Sequence, residues 1–207
     1  MESIRQVQLN SKAGMTFPDG LRSILRQDPD VVMVGEIRDS ETAKVAAQAA
    51  LTGHMVFSTV HTNDAAGAIT RLIDMGIAPF LVSSVLLAVI AQRLVRRVCP
   101  YCKEPYQPTD DELKFWGVEK ANQTEFITGK GCKQCLNSGY KGRIGFFEIL
   151  YIDDSVREMI INGVSANEIT NLTTASGQLT TLKMDAVQKI MDGDTSLKEA
   201  NSVIMIK

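Results

Sequence analysis

The run Asp30-Val31-Val32-Met33-Val34, broken off by Gly35-Glu36-Ile37-Arg38-Asp39, restricts the fold of this chain more than any other stretch. Four consecutive apolar residues, three of them Val, predict a short strand buried on both faces, as in a parallel sheet. Gly35 lets the backbone turn, and Glu36 then stands at the carboxyl edge of the sheet, where ligands of open α/β folds collect. A carboxylate there can hold a magnesium-bound water or take the proton of an attacking water. A second apolar run, Met55-Val56-Phe57-Ser58-Thr59-Val60, predicts another buried strand and ends in His61-Thr62-Asn63-Asp64. Between the two, Asp39 or Ser40 caps a predicted helix over 41–51, whose many alanines make it thin enough to pack closely on a sheet. Thr52-Gly53 ends that helix, and another is predicted from about Ala65 to Met75, closed by Gly76. Strand, capped helix, strand, capped helix is the βαβ progression of a parallel sheet.

The flanks are less constrained. Residues 1–10, with Ile4, Val7 and Leu9, predict a short strand, and 11–14 a turn. Thr16, with Asp19 three residues on, caps a predicted helix to about Arg26. The apolar segment from Ile77 to Ala91 predicts one helix opened by Pro79. At 15 residues, with Ser83 and Ser84 inside it, it is shorter than the roughly 20 that span a bilayer, so it faces the core or a partner. The first twenty residues show no basic-then-apolar leader. A short acidic-aromatic helix is expected around 110–116, a strand over 144–152, and helices over 153–161, 165–173, 179–191 and 196–203. The 207 residues, 44% apolar and 22% charged, suit a globular protein of one or two domains, and a net charge of −2 counts against a dominant nucleic-acid face.

Cys99-Pro100-Tyr101-Cys102 and Cys132-Lys133-Gln134-Cys135 are the strongest chemical signal. Two Cys-x-x-Cys turns let four thiolates converge on one ion, the common closed structural zinc site. The segment from Lys103 to Gly131 is longer than a minimal ribbon needs, so it is expected to loop out and return. Two redox dithiols, or four inert thiols, are the other readings. Pro, Gly and Lys at the knuckles, without a thioredoxin-like βαβ unit around either pair, favour zinc in a scaffolding role and a reducing compartment.

The only two histidines, His54 and His61, bracket the second strand. His61 is expected on the same sheet edge as Glu36, where an imidazole can donate to a phosphate oxygen. Arg93, Arg96 and Arg97 form a basic cluster whose default reading is a solvated face, the alternative being a clamp for phosphate or a neighbouring subunit's acid. A phosphate-cradling Gly-x-x-x-x-Gly-Lys-Ser/Thr is missing: Thr128-Gly129-Lys130-Gly131 has Thr at position 124 and no Ser or Thr after Lys130.

Leu25-Arg26-Gln27-Asp28-Pro29-Asp30 running into Val34-Gly35-Glu36-Ile37-Arg38-Asp39 resembles the Walker B region of the secretion-superfamily ATPases, which carry Gly at the position of Gly35. Leu51-Thr52-Gly53-His54 through Thr59-Val60-His61-Thr62-Asn63-Asp64-Ala65 resembles their histidine box. Ala91-Gln92-Arg93-Leu94-Val95-Arg96 and the four cysteines are similar to the branch that powers type II secretion and type IV pilus assembly; retraction members lack the cysteine module. The likeness runs from about Gln6 to the C-terminus.

The resemblance implies an α/β chain: a RecA-like parallel-sheet remnant over 1–97, a tetracysteine zinc module over 98–145 and a helical C-terminal subdomain over 146–207. It implies Glu36 as the Walker B acid near magnesium and the attacking water, His61 at the γ-phosphate of ATP, His54 shaping the box, and Arg93 in a nucleotide-facing segment. Cys99, Cys102, Cys132 and Cys135 are the implied zinc ligands. The family works as a cytoplasmic homo-hexamer on an inner-membrane platform protein, with no nucleic-acid partner. Its members carry an N-terminal domain, the P-loop and an acid-rich box upstream of this region. The chain is therefore expected to be a C-terminal portion, inactive alone because nothing cradles the β- and γ-phosphates. The competing expectation is a non-catalytic, zinc-stapled protein-interaction module.

Overall fold

The computed structural model describes residues 4–8, 14–118 and 125–204. In chain order its elements are α1 (Phe17–Leu25), β1 (Val31–Val34), α2 (Ser40–Leu51), β2 (Met55–Ser58), α3 (Ala65–Asp74), α4 (Pro79–Val85), β3 (Ala88–Val98), β4 (Lys103–Tyr106), α5 (Asp110–Trp116), β5 (Phe126–Gly129), β6 (Tyr140–Tyr151), α6 (Asp154–Ile161), α7 (Ala166–Ala175), α8 (Leu182–Met191) and α9 (Leu197–Ile204). The chain divides into two compact units, Met1–Val89 with Tyr151–Leu172 and Ile90–Leu150 with Thr173–Lys207.

In the first unit β1 and β2 pair in parallel, with Val31 opposite Met55 and Val34 opposite Ser58. The crossover helix α2 starts where Asp39 accepts bonds from Thr42 N and Thr42 Oγ1, both at 2.8 Å. Those bonds, the backbone one foremost, hold the Asp39 carboxyl below the usual range. Thr16 caps α1 and Asp64 caps α3 in the same way. Ala43, Val45, Ala46, Ala47 and Ala49 of α2 are buried, with Ile69 of α3, Val82 of α4, and Val156 and Ile160 of α6.

The sheet differs from expectation in one respect. Val32 and Val34 are buried, whereas Met33 is 73% and Phe57 57% exposed, and β2 buries none of its residues fully. Helices pack on one face alone among the described residues, so the apolar run serves a half-covered sheet. Residues 4–8 form no strand, and the rest of the expected strand and most of the turn after it, 1–3 and 9–13, lie outside the described residues.

The segment 77–91 is not one helix. α4 stops at Val85, Leu86 is extended (ψ 126°), and β3 begins at Ala88. Val89 and Ile90 favour extended backbone, and β3 gains a ladder with β6 in the second unit. Ala91, Val95 and Val98 face a core containing Phe146, Leu150, Leu179, Ala186, Ile190 and Leu197. The buried Glu148 carboxylate accepts the N–H of Leu182 at 3.1 Å, at the positive end of α8. Trp116 Nε1 donates to Asn201 Oδ1 at 2.8 Å. β4 and β5 are antiparallel, Lys103 opposite Gly129 and Tyr106 opposite Phe126, which is how the segment between the Cys pairs goes out and comes back. No helix among the described residues is long and apolar enough to cross a membrane.

Candidate functional site

The two parallel strands stay coupled beyond their ends. Ile37 N donates to Thr59 O at 3.0 Å, and Thr59 Oγ1 donates to Gly35 O at 2.9 Å. That register delivers Glu36 and His61 to the same edge, with His61 Nε2 against Glu36 Oε1. Arg38 Nε holds the other carboxylate oxygen at 2.6 Å. The Glu36 side chain is 18% exposed and that of His61 83%, so a recessed acid lies behind an open imidazole. The Arg38 hydrogen bond is the main cause that keeps the Glu36 carboxyl below the usual range; burial opposes it, and the Arg38 and His61 charges reinforce it. Oε1 is closed off from solvent, a desolvated acceptor aimed at His61. Gly35 leaves the space beside the edge clear, with nothing within 4 Å of where a Cβ would stand. Its φ is ordinary, so the turn itself does not require glycine.

Not every predicted residue joins this edge. His54 lies at the start of β2, the far end of the strand from His61. Its Nδ1 is 3.0 Å from Ala49 O and 3.1 Å from Thr52 Oγ1, closing the C-terminal end of α2. Arg93 lies on β3 in the second unit, where its guanidinium donates to Gln92 O at 3.1 Å. Arg96 and Arg97 bind acids of their own chain, Glu199 and Asp194, both at 2.5 Å. Asp64 spends its carboxylate on the N-terminus of α3, accepting from Gly67 N at 2.7 Å. Arg38 was missed from the sequence, although residues two apart in a non-helical stretch fall on one side.

The four cysteines converge. Cys99 Sγ is 4.0 Å from Cys132 Sγ, Cys102 Sγ is 3.9 Å from Cys135 Sγ, and Cys132 and Cys135 are 3.8 Å apart. All four sulfurs lie within 4.8 Å of one another. Four sulfurs about 2.3 Å from a central ion would be spaced by about 3.8 Å, and a disulfide by about 2.05 Å, so the spacing is that of a tetrahedral metal site. Backbone N–H groups already point at the sulfurs: Gly131 to Cys102 at 3.3 Å, and Cys132 and Gly139 to Cys135 at 3.2 and 3.3 Å. Burial raises the Cys102 thiol to about 12. Burial also raises Cys135, but the Cys132 and Gly139 N–H groups prevail and bring it down to about 6. The donor set fits a soft, four-coordinate ion.

The turns around this centre need glycine. A Cβ on Gly129 would fall 2.0 Å from Gly139 O, and Gly139 has φ +78°. Cys99 N donates to Gly139 O at 2.9 Å, and Lys130 N donates to Cys102 O at 3.0 Å, tying each knuckle to the strand opposite.

A parallel βαβ edge bearing an acid and an imidazole, on the same chain as four convergent cysteines, defines an α/β class with a separate cysteine-rich module. Residues 1–202 match the family model described as type II/IV secretion system protein, and the chain belongs to that family. Type II secretion system protein E of Pseudomonas aeruginosa is 52% identical over 199 residues, which cover 96% of this chain and 39% of that protein. The type IV pilus assembly ATPase PilB of Thermus thermophilus is 50% identical over 198 residues, 95% of this chain and 22% of that one. The chain thus spans about two fifths or less of the length of these relatives. Among solved structures, the pilus retraction motor PilT with bound ADP superposes with a TM-score of 0.62 at 26% identity, over 90% of this chain and 43% of that chain. The Legionella pneumophila ATPase DotB gives 0.60 at 27% identity, over 90% and 42%.

Proposed function

We propose that this chain is the part of a type II secretion or type IV pilus assembly ATPase that brings the hydrolytic acid and a phosphate-sensing imidazole to the nucleotide. The contact between Glu36 and His61 at the carboxyl edge carries the reading, supported by the relatives named above. ATP with magnesium supplies the phosphoryl group. Glu36 is the Walker B acid: its lowered pKa keeps it ionised, able to hold a magnesium-bound water or to accept the attacking water's proton. His61, open to solvent, exchanges its contact with Glu36 for a hydrogen bond donated to a γ-phosphate oxygen when nucleotide is bound. His54 shapes the turn before β2.

The P-loop belongs to polypeptide outside these 207 residues, so the chain alone neither binds nor hydrolyses ATP appreciably. The complete protein is a cytoplasmic homo-hexamer held at the inner membrane by a platform protein, and the four cysteines hold one structural zinc. Joining the chain to the P-loop-bearing half of its parent should restore phosphate release. Glu36→Gln should then lower that release by about 10²-fold or more, as loss of a general base does. Retained turnover in that variant overturns the assignment of Glu36. A restored activity indifferent to Glu36 and His61 alike favours the interaction-module reading instead.

A further inference from the structure

The two cysteine knuckles display largely exposed side chains at their tips. Tyr101, just before Cys102, is 67% exposed, and Leu136, just after Cys135, is 89% exposed. The sulfurs of Cys102 and Cys135 are 3.9 Å apart, so both apolar side chains are borne on adjoining turns of one centre. Leu136 also has φ +52°, in the left-handed region that penalises a residue with a Cβ. The turn imposes that conformation: Asn137 N donates to Cys132 O at 2.9 Å, and Gly139 N reaches Cys135 Sγ. Glycine would satisfy it without strain, and the neighbour Asn137, at φ +60°, is of a type that tolerates it. Leucine there contributes neither packing nor a relaxed backbone. Strain at an exposed residue points to a contact made outside the fold.

The charge around these tips is one-sided. Residues 98–103 and 129–143 contain Lys103, Lys130, Lys133, Lys141 and Arg143 and no acid, on a chain of net charge −2. Lys103 is bound to Gly193 O at 2.7 Å. Lys130, Lys133, Lys141 and Arg143 are exposed, and Lys141 Nζ lies 5.2 Å from the centre of the Tyr101 ring.

We propose that the knuckle tips form a docking surface for an acidic amphipathic helix of a partner protein. Leu136 enters a hole between apolar side chains of that helix, Tyr101 packs beside it, and the basic rim draws the flanking acids. An anionic lipid surface also suits basic and apolar groups together. A fluid acyl layer, however, accepts leucine in any pose, so a strained and fixed one favours an ordered protein face. The proposal stands apart from the ATPase reading and uses none of the nucleotide residues.

The test uses the reduced, zinc-replete 207-residue chain and a synthetic helical peptide with Leu at core-facing spacings and Glu elsewhere. Its controls are the same peptide with Lys for Glu, and vesicles of phosphatidylglycerol and phosphatidylethanolamine in equal parts. The Glu peptide should shift the amide resonances of 100–102 and 133–137, with affinity that falls as salt rises. Leu136→Asn, which tolerates the backbone conformation, should bind about tenfold more weakly while melting no lower than the parent. Lys133→Glu combined with Lys141→Glu should weaken binding and flatten its salt dependence. Equal binding of the Lys peptide, undiminished binding by Leu136→Asn, binding to vesicles alone, or no shift at these residues each overturns the proposal.

Discussion

Glu199 grips Arg96 with both carboxylate oxygens. Arg96 Nε donates to each at 3.0 Å, a second guanidinium nitrogen donates at 2.5 Å, and the Arg96 backbone N–H reaches Oε1 at 2.9 Å. The guanidinium also lies 4.2 Å over the Tyr140 ring, whose hydroxyl is 2.7 Å from Ser196 Oγ. One interaction therefore fastens α9 to β3 and β6. The carboxylate is nearly buried and the guanidinium half exposed, so this is a fold-holding pair and not a free basic clamp. Glu199→Ala should destabilise the protein by about 2–3 kcal/mol, as loss of a charged acceptor that leaves a backbone donor unpaired does. Denaturant melts followed through Trp116, which bonds α9 through Asn201, report it directly.

The same pair sets a pH dependence. Burial raises the Glu199 carboxyl, but the Arg96 side chain, backbone N–H and charge outweigh it, and the net shift is downward. A carboxylate whose folded pKa lies below its unfolded value, about 4.3, stabilises fully above that value and loses the contribution as pH falls through the folded one. Wild type should lose stability from about pH 5 downward, and Glu199→Gln should lose less over the same range. The difference between the two proteins is the quantity to measure, because every other acid-sensitive group is the same in both. Parallel curves would remove Glu199 from the account.

Metal analysis of reduced protein should find about one zinc per chain. Chelation, or Cys132→Ser, should loosen β4 and β5 while leaving β1 and β2 intact, because the sulfurs tie the two ends of the hairpin together. Hydrogen exchange resolves the two regions separately. Protein that is reduced, folded through 98–145 and free of metal would defeat the zinc assignment.

Gly129→Ala has a steric prediction of its own. Its Cβ would sit 2.0 Å from the carbonyl oxygen of Gly139, which is itself the acceptor for Cys99 N. Neither backbone can withdraw without breaking a knuckle. We expect a loss of about 3 kcal/mol or more and poor zinc retention. Gly35→Ala, where the space is open, should leave stability nearly unchanged.

What could be read from the sequence was local. Asp39, Thr16 and Asp64 announce helix starts because a short acceptor side chain meets the first free N–H groups. The Cys-x-x-Cys pairs announce their convergence by spacing. What stayed hidden depends on distant partners. The run from Ile77 to Ala91 has no period that separates helix from strand along its length, and β6, some fifty residues on, decides its second half. Pro105 makes β4 look like a loop, though an edge position tolerates it. The acids that meet Arg96 and Arg97 stand 103 and 97 residues away. His54 and His61 look equivalent as letters flanking one strand, and only the opposite ends of that strand tell them apart.

The uncovered side of the first sheet yields the last prediction. Met33 and Phe57 are registered partners across β1 and β2, both largely exposed, with Val31 and Met55 exposed on the same strands. A two-stranded sheet is marginal alone, and an apolar face with open edges associates with whatever apolar surface it meets. In solution the chain should therefore self-associate in a concentration-dependent way. Met33→Lys with Phe57→Glu replaces the patch by an opposed charge pair in register, which favours the same strand pairing while removing the adhesive surface. Sedimentation velocity should show the double variant shifted toward monomer, with a melting temperature close to the parent's because neither side chain contributes to the core. Unchanged association would mean that some other surface holds the copies together, and the exposed apolar face of β3 and β6, with Ile90 and Leu94, would be the next to alter.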